Sequence, residues 1–464
     1  MVIKMKKFIK KLFYKRKGNT KKYKLFGLTL VTTTKKAKQD GKLVKKISLM
    51  SMPVYKEVVN IRKKKCYFLG IQLISCLNKK SPIPSQSEIK ENLSTFLYRN
   101  DFFNGKFVLW IDHSLGGGTE VYSYNQFKTT YKNHVILRLQ YFPAYKQYVF
   151  SVPQYKDVAI YAVRELSDVR EFLCRMKFQE IVVNNLVGYE STISILKMVS
   201  SLRSKSEKIS FRGHDFQSIC PSFNLLDCDD KFCDLSYKTG CEDCFRKKKL
   251  GNSNMENVIL RSGCESIAVW RKEWGNFFRN TVDEMIVFSK VISNIFCKIY
   301  PQLENKIKII PHEVRNFDKV IIPEHKGINI AMLGNISLKQ KGADIIRGMS
   351  TQISNYKNVQ LIVIGSLHNP PHNIKVTGKY QHSDLPRIVM KEKIDLVFIP
   401  SICPETFSYT TSEAISMGLP VACYNIGAPA ERVKKYEKGV VLNNMNVAAN
   451  LYELVNFVKK IRKV

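Results

Sequence analysis

The stretch "IDLVFIPSICPETFSYTTSEAISMGLPVACYN", residues 394–425, decides the fold. "IDLVFIP" is a continuous apolar run, the pattern of a strand buried on both faces in a parallel sheet. "SICPETFS" interrupts it, and a helix is expected from Tyr409 to Met417, stopped by Gly418. "LPVACYN" (419–425) is the next apolar run. Open parallel sheets bind ligands outside the carboxyl ends of their strands, which is where this loop falls. Thr410, Thr411 and Ser412 suit a helix start, and the free N–H groups there favour an anion such as a diphosphate. Glu405 lies just before that terminus and Glu413 one turn inside it, so both can face one crevice. A carboxylate accepts hydrogen bonds from two vicinal hydroxyls. Two carboxylates flanking a phosphate site therefore suit a sugar on one side and a ribose on the other. The plainer alternative makes one glutamate a surface residue and the other a helix-dipole partner.

The same pattern extends both ways. "INIAMLGN" (328–335), "VQLIVIG" (359–365) and "NIKVTG" (373–378) precede the stretch. An earlier series starts at "FVLWIDH" (107–113) and the turn "SLGGGTEVYSYNQF". It continues through "VILRLQY" (135–141), "QYVFSV" (147–152), "EIVVNN" (180–185), "KISFRGH" (208–214) and "EMIVFS" (284–289), with a helix at "TISILKMVSSL" (192–202). The spacing is that of βαβ units. Two doubly wound domains joined near "IIPHEVRNFDKVIIPEHKG" (309–327) are expected. Neither glycine cluster is the dinucleotide fingerprint: "GGGTEV" lacks the third spaced glycine and "VIGSLHN" has one glycine.

The charge is uneven. The 464 residues carry a net charge of +36, and residues 1–80 alone hold 24 Lys and Arg against 2 Asp and Glu. A positive arm on a milder body points to an anionic surface, lipid or nucleic acid. In "IKMKKFIKKLFYKRK" (3–17), Met5, Phe8, Ile9, Leu12 and Phe13 make one apolar helical stripe, with Lys6, Lys7, Lys10 and Lys11 opposite. This predicts an amphipathic helix on an anionic membrane. A weak repeat follows: "LFGLTLV" (25–31), "LMSMPVY" (49–55) and "FLGIQLI" (68–74) align at Gly27, Ser51 and Gly70 and read as three short strands. "NKKSPIPSQSE" marks a linker. No run of about 18 apolar residues and no signal peptide is visible, so a cytosolic protein is expected.

Its 12 cysteines are then free thiols or metal ligands. Five of them fall in "HDFQSICPSFNLLDCDDKFCDLSYKTGCEDCF" (214–245): Cys220, Cys228, Cys233, Cys241 and Cys244. The closing C-x2-C reads as a zinc knuckle that two more thiolates would complete, with unligated thiols as the alternative.

"PETFSYTTSEAISMGLPVACYNIGAPAERV" resembles the nucleotide-sugar loop of retaining family-4 glycosyltransferases of the GT-B fold, of the type that builds bacterial surface polysaccharides. "GGGTEVY", "RGHDF" and "LGNISLKQKGADII" extend the resemblance over roughly 105–445. It implies an α/β fold with two Rossmann-like domains facing each other across a cleft, behind a basic N-terminal extension. The expected bounds are 1–80 for the extension, 81–103 for a linker, 104–318 for the acceptor-side domain and 326–446 for the donor domain. Residues 447–464 would form a helix packing back on the N-terminal half. By resemblance, Glu405 holds the donor sugar, Glu413 the ribose, and the backbone at Ser408, Tyr409 and Thr410 the diphosphate. Lys341 neutralises the leaving phosphate, Gly117 and Gly118 let the N-domain backbone approach it, and His214 reaches the donor sugar. Asn335 stands where the family usually has arginine, so one phosphate-neutralising charge is lost or is supplied by Lys339. A structural zinc on Cys220, Cys233, Cys241 and Cys244 is implied, with Cys228 spare and no cofactor for chemistry.

The expected partners are a nucleotide-sugar donor, a glycan or lipid-linked acceptor and an anionic membrane met by residues 1–80, at the inner face of the membrane. The rival readings are a nucleic-acid-binding protein using the arm and knuckle, and a GT-B-like epimerase. Nucleic acid is disfavoured because the excess charge lies outside the folded halves and no binding signature appears.

Overall fold

The computed structural model describes residues 106–155, 158–235, 240–250 and 253–462, and the backbone of seven strands between 13 and 77. The chain forms two compact units, residues 1–114 with 126–179 and residues 115–125 with 180–464. This division cuts through the domain expected at 104–318. The expected linker, from residue 78 on, lies outside the described residues.

In the first unit the strands Phe13–Lys17, Thr20–Leu25, Leu28–Ala37, Leu43–Leu49, Met52–Val59, Lys63–Phe68 and Ile71–Leu77 pair in chain order as one antiparallel meander. Two expectations are corrected here. Residues 13–17 are a strand, not the end of a helix, because Tyr14 pairs with Tyr23 across a hairpin. Residues 3–12 of that expected helix lie outside the described residues. The three repeat segments are hairpin corners rather than single strands: Leu25 pairs with Leu28, Leu49 with Met52 and Phe68 with Ile71. Each has a register shift at the same place before its corner, after Tyr23, Ile47 and Cys66. The repeat is thus a bulged hairpin used three times. The unit also holds Phe107–His113, parallel to Val135–Phe142, with Gln147–Val152 and Val158–Val163 added antiparallel.

The second unit holds two α/β parts. In the first, Phe178–Val183, Ser206–Arg212, Glu284–Val287 and Ile307–Ile309 lie in that order, the last three parallel. Thr192–Ser201 is a helix, capped by Ser191. The second part is a six-stranded parallel sheet ordered Ile374–Val376, Val359–Ser366, Ile328–Asn335, Leu396–Ile399, Val421–Tyr424, Gly439–Leu442. Numbered along the chain, that order is 3-2-1-4-5-6, the doubly wound Rossmann arrangement. The strand order reverses between Ile328–Asn335 and Leu396–Ile399, which puts the opening stretch at the topological switch point. Apolar residues cover both faces, in one cluster around Met332, Val363 and Phe398 and another around Ala331, Ile364 and Val397.

The C-terminal helix, Val447–Arg462, packs on this sheet rather than on the N-terminal half. Leu451, Leu454, Val455 and Val458 join the cluster of Ile346 and Met349. Arg462 at its end pairs with Asp395 and donates to the Gly327 carbonyl at 2.6 Å. Among the described residues no helix is long and apolar enough to cross a membrane. Leu454 is fully buried, so Leu454→Ala is expected to cost roughly 2–4 kcal/mol in urea unfolding. A loss below about 0.5 kcal/mol would mean the helix is not part of the core.

Candidate functional site

The loop between Leu396–Ile399 and the helix Tyr409–Ser416 is held by close backbone packing. Gly342 has φ +85, and a Cβ there would lie 2.2 Å from the Pro400 carbonyl oxygen. Gly427 has φ +66, and a Cβ would lie 2.7 Å from Pro404 Cα. Only glycine fits either place. The helix Gly427–Val433 therefore abuts the loop, and Ala428 N–H donates to the Glu405 carbonyl at 2.9 Å.

Glu405 meets Lys341, with Oε1 2.8 Å from Nζ. It also accepts from the Ser401 hydroxyl. Burial would raise the Glu405 pKa, but Lys341 and the hydroxyls outweigh it and hold the carboxyl below its usual range. Two residues expected at the reacting end are thus one ion pair. Glu413 is buried one turn into the helix, and its Oε1 lies 2.9 Å from His382 Nε2. Burial raises its pKa, partly offset by His382. His382 stacks on Phe317, with centroids 4.7 Å apart. The alternative that made one glutamate a surface residue fails, since both are enclosed.

The helix start differs from expectation. Ser408 is the capping residue, at φ +75, and its side chain caps nothing. Thr410, Thr411 and Ser412 form the first turn, and Thr411 Oγ1 donates to Ser408 Oγ at 2.9 Å. A serine at positive φ is strained and needs fixing by its surroundings. Arg432 supplies this. Its guanidinium donates to the carbonyls of Phe407 and Ser408 and to the Ser412 hydroxyl, and lies 4.5 Å from the Phe407 ring centroid. Burial pushes its pKa down to about 10, so it stays charged.

His312 joins the same loop from the connecting segment. Its Nδ1 is 2.9 Å from the Tyr409 hydroxyl, and its ring stacks on Phe407 at 4.4 Å. Burial, then Arg432, pushes its pKa to about 3, so it is neutral. Neither Arg432 nor His312 was read from the sequence. Arg432 ends the quoted "GAPAER"; His312 follows a proline in the connector, with no signal beyond that.

His214 ends Ser206–Arg212 and turns toward this cluster. Its Nε2 is 3.0 Å from Asn184 Oδ1, and its ring lies 4.7 Å from Tyr122 and 5.4 Å from His312. Thr406 Oγ1 donates to the His214 carbonyl at 3.0 Å, joining the 401–408 loop to the N-terminal part of its own unit. Gly117, at φ +86, is open around its Cα; a Cβ on Gly118 would sit 3.4 Å from the Tyr409 ring. Gly118 thus brings the helix Gly118–Lys128 against Tyr409 itself. Asn335 accepts from Ser337 N–H at 3.1 Å and from the Ser366 hydroxyl at 3.0 Å. Lys339, one candidate for the missing cation, pairs with Asp230 at 2.8 Å.

That pairing clips the cysteine loop to the sheet, and Leu226 enters the cluster of Ile336 and Cys403. Cys220, Cys228, Cys233, Cys241 and Cys244 all line one cavity of about 410 Å³. The expected four cysteines share this cavity, and among the described residues no group of three His, Cys, Asp or Glu is arranged to hold a metal. Cys244 partners Cys228, the expected spare, and Arg271 Nη2 is 3.6 Å from Cys241 Sγ. Leu226 and Asp230 anchor the loop to the sheet.

Residues 315–463 match the family model described as glycosyl transferases group 1. The switch-point loop lies inside that match, so the 315–463 region is of glycosyltransferase type, and the fold is α/β with a doubly wound parallel sheet. The chain is similar to solved structures. One is Anabaena Alr3699/HepE in complex with UDP-glucose, at 15% identity and TM-score 0.48, over 76% of this chain and 89% of that one. Another is a glycosyltransferase of Rickettsia africae, at 13% and 0.47, over 78% and 92%. A third is the pneumococcal O-GlcNAc transferase GtfA in complex with UDP and GlcNAc, at 12% and 0.42, over 97% and 74%. No curated protein matches the sequence.

The ion pair makes a pH prediction. Glu405 has a depressed folded pKa, so it adds stability above its unfolded value, lost as pH falls through the folded one. In Lys341→Met, burial is opposed only by the Ser401 and Ser408 hydroxyls and raises that pKa relative to wild type, so the carboxylate is less stable at neutral pH and acid relieves it. Lys341 is 39% exposed, so the variant is expected to lose only about 1–3 kcal/mol at pH 7. The gap to wild type should close towards about pH 4. A pH-independent gap in urea unfolding would show that the pair carries no such linkage.

Proposed function

We propose that the protein is a retaining glycosyltransferase that moves a sugar from a nucleotide-sugar donor to a glycan or lipid-linked acceptor. Cell-surface polysaccharide synthesis, at the inner face of the membrane, is the setting. The observation that carries this reading is the switch-point loop, where the paired Glu405 and Lys341, the uncapped start of the 409–416 helix and the enclosed Glu413 lie in one element.

The roles follow from chemistry. The N–H groups of Ser408, Tyr409 and Thr410 face the position where a diphosphate sits best. Glu413 accepts from ribose hydroxyls, with His382 orienting its other side. Glu405 accepts from donor-sugar hydroxyls, and its pairing with Lys341 keeps it ionised for that task. Lys341 carries the positive charge for the leaving phosphate, where negative charge grows in the transition state. Gly117 leaves space beside Tyr409 for the donor. His214, fixed by Asn184, presents its ring from the opposite side of the loop. Asn335 occupies the rim. No protein nucleophile is assigned. The acceptor is proposed to be lipid-linked because the basic arm suits an anionic leaflet.

Isothermal titration with a panel of nucleotides and nucleotide sugars tests this. Glu413→Ala is expected to weaken nucleoside diphosphate binding about 10- to 100-fold, the worth of a lost charged hydrogen-bond pair. Glu405→Ala should keep diphosphate binding and lose discrimination among sugars. A folded wild type that binds no nucleotide would overturn the reading.

A further inference from the structure

The ring of His382 is held more firmly than its place at the surface requires. It follows the strand Ile374–Val376 and opens the short 3-10 turn His382–Asp384. The strands of this sheet are parallel, so the turn emerges at the same edge as the loop that carries Glu405 and leads into the helix of Glu413. Two contacts fix the ring. Nε2 lies 2.9 Å from Glu413 Oε1. One face stacks on Phe317, with centroids 4.7 Å apart and planes 26° from parallel. Phe317 is itself anchored: its N–H donates to the Ser416 hydroxyl at 3.2 Å, and its ring packs against the cluster of Ala331, Ile364 and Val397. Yet 42% of the His382 side chain is exposed. One edge and one face are taken, so that exposure falls on the second face. Among the described residues no other aromatic ring lies against it.

Holding an exposed side chain in one rotamer costs entropy. A hydrogen bond to Glu413 asks for one nitrogen in place. A ring footed on a second ring offers something more, a flat face at a fixed angle. Nucleobases stack on such faces, on His as on Phe, Tyr and Trp. The neighbouring carboxylate says why a base would be there. Glu413 gives one hydrogen bond site to His382, and a carboxylate has further lone pairs for ribose hydroxyls. The base is one glycosidic bond from that ribose. A nucleotide seated on Glu413 therefore carries its base within reach of the adjoining ring. The transferred sugar belongs at Glu405, on the other side of the diphosphate.

We propose that His382, footed on Phe317, is the stacking platform for the nucleobase of the donor. This rests on the reading that Glu413 holds the ribose, and deepens it by giving the base its seat. The platform fixes the plane of the base. It leaves the choice among bases to groups at the base's edge, since every base has a π-face. The hydrogen bond to Glu413 keeps the platform in register with the ribose, so one side chain positions both.

Isothermal titration of the full chain with UDP, ADP, GDP, CDP and dTDP tests this, with inorganic pyrophosphate as the probe that lacks a base. Two substitutions separate the ring from the hydrogen bond. His382→Phe keeps a flat face and loses the link to Glu413. His382→Gln keeps an N–H for Glu413 and loses the face. His382→Gln should weaken the tightest-binding nucleotide roughly 5- to 100-fold, the range of a lost base stack. His382→Phe should stay close to wild type, and pyrophosphate should bind all three proteins alike. In wild type, the His382 ring-proton resonances, identified by their loss in His382→Gln, should move upfield with nucleotide and stay in place with pyrophosphate. A greater loss in His382→Phe than in His382→Gln would leave His382 as the orienting partner of Glu413 alone and overturn the platform. Equal losses, no loss in either, or pyrophosphate binding lost together with nucleotide binding would overturn it too. A folded wild type that binds none of these nucleotides overturns the ribose reading and the platform with it; wild-type binding with any of the contrary variant results overturns the platform alone.

Discussion

One buried guanidinium holds the site in shape. Ser408 sits at positive φ, a conformation a serine adopts only under constraint, and Arg432 takes the carbonyls on both sides of that strain. With those carbonyls occupied, the chain turns sharply enough to start a helix at Tyr409 and leave its first N–H groups uncapped. The same cation lies on the Phe407 ring, which in turn stacks on His312. His312 is kept neutral by burial, and then by the positive charge of Arg432 beside it. It binds the Tyr409 hydroxyl and so fixes the first residue of the helix. Without the guanidinium, the loop carbonyls would be buried and unmet, at about 1–3 kcal/mol each.

The sheet decides where this device stands. The order 3-2-1-4-5-6 opens a crevice at the carboxyl ends of Ile328–Asn335 and Leu396–Ile399, and the strained loop follows the second of these. Gly342 and Gly427 let two neighbouring elements close on it. Thr406 and the ring cluster of Tyr122, His214 and Phe288 connect it to the N-terminal part of its own unit. Glu431 adds a further link by accepting from Val291 N–H at the start of the helix Lys290–Ile299. The fold and the site are therefore one set of constraints: the loop's geometry exists only because elements on several sides press on it.

Much of this was legible in the chain. Parallel strands buried on both faces read as unbroken apolar runs, and "INIAMLGN", "VQLIVIG" and "IDLVFIP" fall within a residue or two of the observed strands. The spacing of Glu405 and Glu413 gave both residues a place at one helix start. What was not legible depends on partners distant in sequence or on the backbone. Arg432 serves carbonyls, which every residue has; His312 serves a hydroxyl 97 residues away. The Val447–Arg462 helix shows its apolar stripe but not the surface that stripe covers. Residues 13–17 fit a helical stripe and a strand alike, and only pairing with Thr20–Leu25 decides between them. The cysteine spacing carries a knuckle pattern but not the anchoring of its loop by Leu226 and Asp230, which lie between the cysteines and meet partners more than 100 residues away.

The most direct test of the central claim is a crystal structure of the protein with a nucleoside diphosphate bound. The account places the diphosphate on the N–H groups at Ser408, Tyr409 and Thr410, the ribose on Glu413 and the terminal phosphate near Lys341. A nucleotide bound elsewhere, or a 404–413 loop unchanged and empty at saturating nucleotide, would contradict it.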